Sequence, residues 1–370
     1  MSALAAVPGC APKPQQQARS RLGACLLLVV FSSLAGCSAD ESTPVAVLGA
    51  PVLYDRNDRQ ELYLLPASDL RRAAEHSVVA LIQDSVLQDD GVPDALEAFS
   101  ARAWAVRREL CPGIDFAEQP AAATCSGFLV DADLVLTAGH CAATLRCSEL
   151  NIVFGYHYTG DGQPARLTGD DVYRCAEVLA FEVPGAGTQL DYGWLRLDRP
   201  VTADKTPLPI ARSAQPIETD ERLQLLGHPG GVPLKVQLAV KPLSARSATL
   251  DYFVTAADAF EGDSGGPLLR DGRQVVGILA RGNSDYSSTP SGCFDVAQRS
   301  ESQGAEQATY AFRALDELCR AAPGSTELCR TSAAGGGCSF SSVAEHTAWH
   351  AWLLASSAML AFALRRLLVR

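Results

Sequence analysis

The sequence predicts an all-β protein, and the prediction follows from the length and the spacing of its apolar runs. From Cys125 to about Val276, short apolar runs recur, including "SGFLV", "LVLTA", "NIVFGY", "YGWLRL" and "QVVGILA", and Gly, Pro, Asp or Asn separates them. Strands with this length and spacing are typical of a sandwich or a barrel, whereas a parallel sheet would alternate them with helices. The stretch "TYAFRALDELCR" at 309–320 then predicts a helix that closes the fold.

Composition narrows the class of protein. The chain has 370 residues, enough for one large or two small domains, and its net charge is −11. An acidic chain is a poor candidate for nucleic-acid binding, which needs a basic face. The twelve cysteines do not form paired C-x-x-C clusters, so they indicate disulfides in an oxidising, exported environment rather than zinc. We predict no metal and no cofactor.

The N-terminal region has the pattern of an export signal. Two arginines precede the apolar run "LGACLLLVVFSSLAGC", which fits a signal peptide over residues 1–36. The end of this run, "LAGC", resembles the bacterial lipoprotein box, with cleavage before Cys37 and lipid on its sulfur. An ordinary signal peptide cleaved nearby is the alternative. Residues 37–76 are then a linker or a propeptide.

The C-terminal region predicts a second means of attachment. Residues 321–337 form a linker of small residues, and 338–370 combine Cys338, an apolar segment and terminal arginines. This order resembles the sorting tails of some Gram-negative bacteria, although the apolar part is shorter than the ~20 residues of a spanning helix. A surface amphipathic helix is the alternative. We therefore expect an exported protein at the cell surface or outer membrane of a Gram-negative bacterium, or released from it, with membrane contact through the lipid, the tail or both.

Three elements precede the strand-rich region. "SDLRRAAEH" at 68–76 predicts a short helix with Ser68 as its N-cap, and "SVVALI" at 77–82 predicts the first strand. Residues 94–110 show apolar side chains at helical spacing, which predicts a solvent-facing insertion helix.

The chemistry is indicated by three stretches in one order. "TAGHC" contains His140, "LDYGWLRL" contains Asp191, and "EGDSGGP" contains Ser264. A serine hydroxyl needs an adjacent base, and that base needs an acceptor that fixes its tautomer. The pentad from Gly262 to Gly266 also fits the G-x-S-x-G motif of α/β-hydrolases. That family places its histidine after the serine, and the histidines after Ser264 lie only in the tail, so the order excludes it.

These three motifs resemble those of the chymotrypsin-like, or trypsin-fold, serine peptidases over roughly residues 77–320. The resemblance implies two antiparallel six-stranded β-barrels with a C-terminal helix and a catalytic triad of His140, Asp191 and Ser264 between the barrels. It implies a serine endopeptidase that hydrolyses protein or peptide substrates through an acyl-enzyme. A catalytically inactive binding or scaffold protein of the same fold is the alternative.

The resemblance also assigns supporting roles. The amides of Gly262 and Ser264 would bind the oxyanion, and a disulfide between Cys125 and Cys141 would brace His140. Cys147–Cys175, Cys319–Cys329 and Cys111–Cys293 are further candidate pairs, although spacing alone leaves the connectivity open. "ILARGN" at 278–283 matches the strand that pairs with substrate, which places Ala280 and Gly282 in the cleft.

Substrate preference has two interpretations. Asp258 lies six residues before Ser264, where tryptic members keep the aspartate that binds Lys or Arg. However, "GHPGGVPLKV" and "DAFEGDSGGP" resemble the bacterial glutamyl-endopeptidase-like branch, in which an aspartate at this place often belongs to the loop scaffold. Both roles of Asp258 stay open here. His228 lies between Gly227 and Pro229, and we expect it to be structural.

Activation departs from the tryptic pattern. Zymogens of that type carry Ile-Val-Gly-Gly after the cleavage point, and the freed amine pairs with the aspartate before the nucleophile. No such tetrapeptide precedes "CSGFLV", and Val78-Val79 is the nearest candidate. Because an unpaired buried carboxylate is costly, we expect Asp263 to find a local partner in a preformed site.

Overall fold

The computed structural model describes residues 53–86, 101–185, 187–245 and 248–332. The predicted signal peptide, Cys37 and the tail at 338–370 lie outside these ranges. Within them, no helix combines the length and the apolar character needed to cross a membrane.

The elements of the described chain are mostly short strands. The strands are β1 Arg59–Glu61, β2 Val78–Gln83, β3 Cys125–Asp131, β4 Leu134–Thr137, β5 Leu150–Phe154, β6 Tyr158–Gly160, β7 Gln163–Pro164, β8 Val172–Glu182, β9 Tyr192–Leu197, β10 Leu223–Gly227, β11 Lys235–Val240, β12 Pro242–Ala245, β13 Tyr252–Thr255, β14 Pro267–Arg270, β15 Gln274–Arg281, β16 Tyr286–Ser288, β17 Phe294–Val296 and β18 Glu306–Tyr310. The α-helices are α1 Asp69–His76, α2 Trp104–Arg108, α3 Gly139–Thr144, α4 Ala311–Ala321 and α5 Glu327–Ser332.

The first half of the fold is a closed antiparallel barrel. Its strands follow the order β2-β3-β4-β9-β8-β5, and each pairs with its neighbours in that ring. Val79 and Leu81 of β2 point into the barrel core, whereas Val78 packs in a separate core with Phe128 and Trp194. Both faces of these strands are therefore covered, which explains why "VVALI" is continuously apolar instead of alternating.

The second half is an eight-stranded antiparallel sheet that curls into a half-barrel. Its order is β1-β11-β10-β14-β15-β18-β13-β12. β11 and β12 are separated in sequence only by Lys241, so one bent stretch of chain pairs with β10 at one end and with β13 at the other. The predicted all-β fold is confirmed as a closed six-stranded barrel and a half-barrel; the second sheet has eight strands, with β1 at one edge, and is not closed.

The helices confirm part of the predictions and correct the rest. Ser68 caps α1, its Oγ accepting a hydrogen bond from the Arg71 amide at 3.2 Å. The closing helix begins at Ala311 rather than 309, because Thr309 and Tyr310 belong to β18 and pair with β13 and β15. The insertion helix was predicted at 94–110, of which 94–100 lies outside the described residues. Within 101–110 the helix described is α2, and its Trp104 is fully buried against Phe260, so this part does not face solvent as a whole.

The chain before the first barrel strand is part of the domain from residue 53 onward. The sequence assigned 37–76 to a linker or propeptide. In the structure, β1 pairs with β11, with Gln60 opposite Val236, and Leu62 and Ala73 lie in the same core as β14 and α4. This early segment therefore contributes an edge strand and core side chains to the second sheet.

Four disulfides link the described cysteines in the predicted pairs. They are Cys125–Cys141, Cys147–Cys175, Cys111–Cys293 and Cys319–Cys329. The first joins β3 to α3, the helix that carries His140.

Replacing both Cys125 and Cys141 by serine is expected to lower the free energy of unfolding by about 3 kcal/mol, since it frees a loop of 16 residues in the unfolded chain. Urea unfolding of the variant and wild type measures this difference. The double serine variant of Cys319 and Cys329 is the matched control: it should lose a similar amount of stability but leave hydrogen exchange of the amides around His140 unchanged. Equal changes of exchange around His140 in both variants would contradict a bracing role at His140.

Candidate active site

His140 and Asp191 form a pair at the end of the first barrel. His140 is the second residue of α3, and Asp191 directly precedes β9. The ring Nδ1 lies 3.2 Å from both carboxylate oxygens, and the His140 amide donates to Oδ1 at 3.0 Å. The aspartate side chain is 3% exposed, whereas the histidine is 40% exposed. A carboxylate at Nδ1 favours the tautomer with its hydrogen on Nδ1, in which Nε2 is the ring nitrogen able to accept a proton.

Asp191 has two further neighbours that the sequence did not suggest. The hydroxyl of Thr309 accepts from the Asp191 amide at 3.1 Å and donates to its carbonyl oxygen at 3.0 Å. Nη1 of Arg281 lies 3.5 Å from Oδ2 of Asp191, and Nη2 donates to the Gln189 carbonyl. Arg281 adds positive charge behind the carboxylate. Arg281 adjoins the predicted cleft residues, but sequence does not show where its guanidinium points.

The loop that carries Ser264, residues 260–266, depends on glycine at two places. Gly262 has φ +94°, and a Cβ there would lie 2.3 Å from the His228 carbonyl oxygen. Gly265 has φ +89°, and its Cβ would lie 2.1 Å from the Ser126 carbonyl oxygen. No side chain fits at either position without moving backbone, so both space and φ require glycine.

Ser126, at the start of β3, holds this Ser264 loop in place. Its amide donates to the Ser264 carbonyl oxygen at 2.8 Å, and its Oγ donates to the Gly262 carbonyl oxygen at 2.7 Å. With their carbonyls bound, the amides of Gly262 and Ser264 have no acceptor among the residues that the structure describes. Two open amides on one rigid loop are the donors that an oxyanion requires.

Ser264 lines a cavity of about 150 Å³. Its Oγ donates to the Ala280 carbonyl oxygen at 3.3 Å, and among the described residues no hydrogen bond joins it to the His140 ring. The cavity is lined by Ala259, Phe260, Glu261, Ser264, Leu279, Ala280, Arg281, Gly282, Asp285 and Glu306. The predicted cleft residues Ala280 and Gly282 therefore line the same cavity as Ser264.

Two acidic side chains of this cavity escaped the sequence analysis. Glu306 is 4% exposed, and its Oε1 accepts from the Asn283 amide and from the Tyr54 hydroxyl, both at 3.1 Å. A Cβ on Gly282 would lie 1.4 Å from Glu306 Oε2, so this glycine gives the carboxylate access to the cavity. Burial raises the pKa of Glu306 to about 7 and that of Asp285 to about 7. The sequence analysis assigned no element to residue 306, because the predicted closing helix began at 309 and an acidic residue does not fit the apolar pattern of a buried strand.

Asp258 does not line this cavity, which corrects its predicted role as a substrate-binding residue. It is 1% exposed and faces the N-terminal segment. Its Oδ1 accepts from the Tyr54 amide at 2.7 Å and its Oδ2 from the Asp58 amide at 3.1 Å. The Asp258 carboxylate therefore binds the backbone of segment 53–58.

His228 has a structural role. His228 is buried, its Nδ1 lies 3.2 Å from the Val232 carbonyl oxygen, and burial lowers its pKa to about 3, so it stays neutral.

Cys125, His140 and Cys141 place potential ligand atoms within 4.8 Å of one another. Both sulfurs belong to a disulfide, so this cluster cannot supply thiolates to a metal.

Asp263 has the local partner that the sequence analysis anticipated. Its Oδ2 accepts from the Phe260 amide at 2.9 Å. Val79, the candidate new terminus, pairs with Gly127 on one side and Phe154 on the other. A chain end there would interrupt a strand of the closed barrel, and this supports a site that forms without cleavage.

The chain is similar to known serine proteases. The family model described as Trypsin matches residues 113–302, just over half of the chain. The chain is similar to serine protease filzig of Drosophila melanogaster, with 27% identity over 187 residues, covering 43% of this chain and 11% of that protein. It is also similar to serine protease Rv3671c of Mycobacterium tuberculosis (strain ATCC 25618 / H37Rv), with 32% identity over 166 residues, covering 42% of this chain and 35% of that protein.

The chain thus matches about a tenth to a third of the length of these two relatives. Among solved structures, neuropsin, a serine protease expressed in the limbic system of mouse brain, is 17% identical, covers 67% of this chain and 95% of its own, and has a TM-score of 0.42. Because the Trypsin family model matches more than half of the chain, this chain belongs to the trypsin family of serine proteases.

Proposed function

We propose that the protein is a serine endopeptidase in which Ser264 is the nucleophile, His140 the general base and acid, and Asp191 the group that orients it. The observation that carries the proposal is the buried Asp191 carboxylate on Nδ1 of a half-exposed His140. The Ser264 loop packs on the same elements, since a Cβ on Gly265 would lie 3.0 Å from the Ala138 amide nitrogen, two residues before the histidine.

The reaction follows from these positions. Rotation about the Cα–Cβ bond takes the Ser264 hydroxyl from the Ala280 carbonyl to His140 Nε2, which accepts its proton as Oγ attacks the peptide carbonyl carbon. The carbonyl oxygen becomes an oxyanion between the open amides of Gly262 and Ser264. Protonated His140 then gives its proton to the leaving amine, and an acyl-enzyme remains. Water, deprotonated by the same imidazole, cleaves the ester and restores Ser264.

Glu306 points to the substrate class. Glu306 lines the cavity with Ser264, and Asp285 adds a second acid to the lining. The third acid, Glu261, is already paired with Arg108. The Arg281 guanidinium is directed at Asp191 and Gln189. A cavity with this charge favours Lys or Arg as the residue before the cleaved bond, called P1.

A peptide library tests both the activity and this preference. We expect wild type to cleave after Lys or Arg, and Glu306→Gln to lower kcat/KM on those substrates by about 10²-fold, because an ion pair in a desolvated cavity is lost. Asp258→Asn is the control, and its ratio of basic to neutral P1 cleavage should stay unchanged. Dominant cleavage after Glu would overturn the role of Glu306 and favour the glutamyl-endopeptidase-like branch. No cleavage by folded wild type would favour the inactive binding or scaffold protein.

Export and tethering remain part of the proposal. The four disulfides fit an oxidising compartment outside the cytosol. The lipoprotein box at Cys37 and the tail at 338–370 would attach the protease to a membrane. Metabolic labelling with a palmitate analogue, in wild type and Cys37→Ser, tests the lipid anchor: label should enter the wild-type chain alone.

A further inference from the structure

The trypsin-family fold here carries a buried arginine that the reaction described above does not use. We propose that Arg59 is a positioning residue of the peptidase, whose charge holds Asp263 inward and so sets the Ser264 loop. The inference rests on the proposed function for its kinetic consequences. It extends that function by making segment 53–61 an internal activator in place of a cleaved chain terminus.

Hydrogen bonds fix segment 53–61 to β11, Asp258 and Glu306. β1 forms the edge of the second sheet by pairing with β11. The amides of Tyr54 and Asp58 donate to the two oxygens of Asp258, and the Tyr54 hydroxyl donates to Glu306. These bonds join residues separated by 200 to 252 positions in sequence. The segment therefore bridges the base of the substrate cavity and the start of the Ser264 loop.

The Arg59 side chain enters the protein from this segment. The residue is 7% exposed, its guanidinium carbon lies 4.3 Å from the centre of the Phe260 ring, and its Nε donates to Asn57 Oδ1 at 3.0 Å. Arg59, Asp258 and Asp263 line one small cavity of about 10 Å³. Burial lowers the pKa of Arg59, and the charges of Asp258 and Asp263 oppose that effect.

Asp263 is the link between this charge and catalysis. It lies between the two oxyanion amides in sequence, and its carbonyl oxygen accepts from the Gly266 amide at 2.8 Å. The fit is tight, since a Cβ on Gly227 would lie 2.3 Å from Asp263 Oδ1. Burial raises the pKa of Asp263 to about 8. The hydrogen bond from the Phe260 amide and the charge of Arg59 act in the opposite direction, so both favour the ionised carboxylate. Losing the cation would favour a neutral or outward-turned Asp263 and displace both amides.

A second cation near Asp258 and Asp263 is already paired with a different carboxylate. Lys235 is 1% exposed in its side chain and lies 3.2 Å from Glu61. Arg59 has no carboxylate of its own within 4 Å among the ion pairs of the described chain, so its charge is shared by Asp258 and Asp263. Burying two carboxylates near each other without such a charge is strongly unfavourable.

Kinetics of three variants test the inference. Arg59→Met should lower kcat by about 10² to 10³-fold, the cost of a misplaced oxyanion donor, while KM changes by less than tenfold. Arg59→Lys keeps the charge and should recover most of the rate. Arg56→Met makes the same change at an exposed arginine of the same segment and should match wild type. Wild-type kcat in a folded Arg59→Met protein would overturn the inference, and so would no recovery by lysine.

A double variant of Arg59 and Asp263 distinguishes a positioning role of Arg59 from a general effect on stability. If Arg59 acts through that carboxylate, then Asp263→Asn combined with Arg59→Met should lose no more kcat than the worse single variant. Independent structural effects would instead multiply. Multiplied losses would contradict the proposal.

Hydrogen exchange provides a test that does not need activity. The amides of Phe260, Asp263, Gly265 and Gly266 all have acceptors in wild type. Their exchange should accelerate in Arg59→Met but not in Arg56→Met, while β14 stays protected. Unchanged exchange in this loop would refute the positioning role. An inactive wild type would instead refute the proposed function, and the exchange result would still decide the role of Arg59.

Discussion

Ser264→Ala is expected to lower kcat/KM on Lys or Arg peptides by about 10⁶-fold. The variant keeps the loop, because the backbone of Ser264 rather than its side chain binds Ser126. It removes the only atom that forms the acyl bond, and the oxyanion amides alone give a small residual rate. Steady-state hydrolysis of a fluorogenic peptide measures the loss.

The control for this variant is Ser288→Ala, at an exposed serine on β16, which should retain the wild-type rate. Thermal unfolding should give similar midpoints for all three proteins, since the lost hydroxyl makes one long hydrogen bond to Ala280. A Ser264→Ala protein within tenfold of wild type would mean that another group is the nucleophile.

Asp191→Asn should lower kcat/KM by about 10⁴-fold, as expected when a triad carboxylate becomes an amide. The carboxylate accepts from both the ring Nδ1 and the amide of His140. An asparagine can donate to Nδ1, which stabilises the tautomer with its hydrogen on Nε2. That tautomer cannot take the proton of Ser264.

The rate of this variant should be measured from pH 6 to 9, so that a shifted optimum is not mistaken for lost activity. Asp198→Asn, at the end of β9 and partly exposed, is the matched control and should change the rate less than twofold. A loss below tenfold in Asp191→Asn across the whole range would show that Asp191 does not orient the base.

The sequence predicted those features of the site that lie within short motifs. His140, Asp191 and Ser264 each sit in a pattern a few residues long, and the glycines around Ser264 are required by local geometry that the motif already contains. The disulfide at His140 follows from the same resemblance. Apolar runs such as "VVALI" and "YGWLRL" predicted strands because both of their faces are buried.

The substrate cavity and the support behind Ser264 could not be predicted in the same way. Counting back from Ser264 left Asp258 open as either a pocket residue or a scaffold residue, and its side chain binds amides of segment 53–58, some 200 residues earlier. Glu306 is a buried acid inside a strand, and its charge conceals the strand pattern. Arg59 and Arg281 acquire their partners only when distant segments meet, and composition or periodicity carries no signal for such contacts.

The most direct test of the central claim is the site of reaction with a fluorophosphonate, mapped by mass spectrometry of the digested protein. We expect one adduct per chain, on the hydroxyl at position 264, and a rate that falls when His140 is replaced by alanine. Folded protein that acquires no adduct, or acquires it on a different residue, would contradict a hydrolytic centre built from these three side chains.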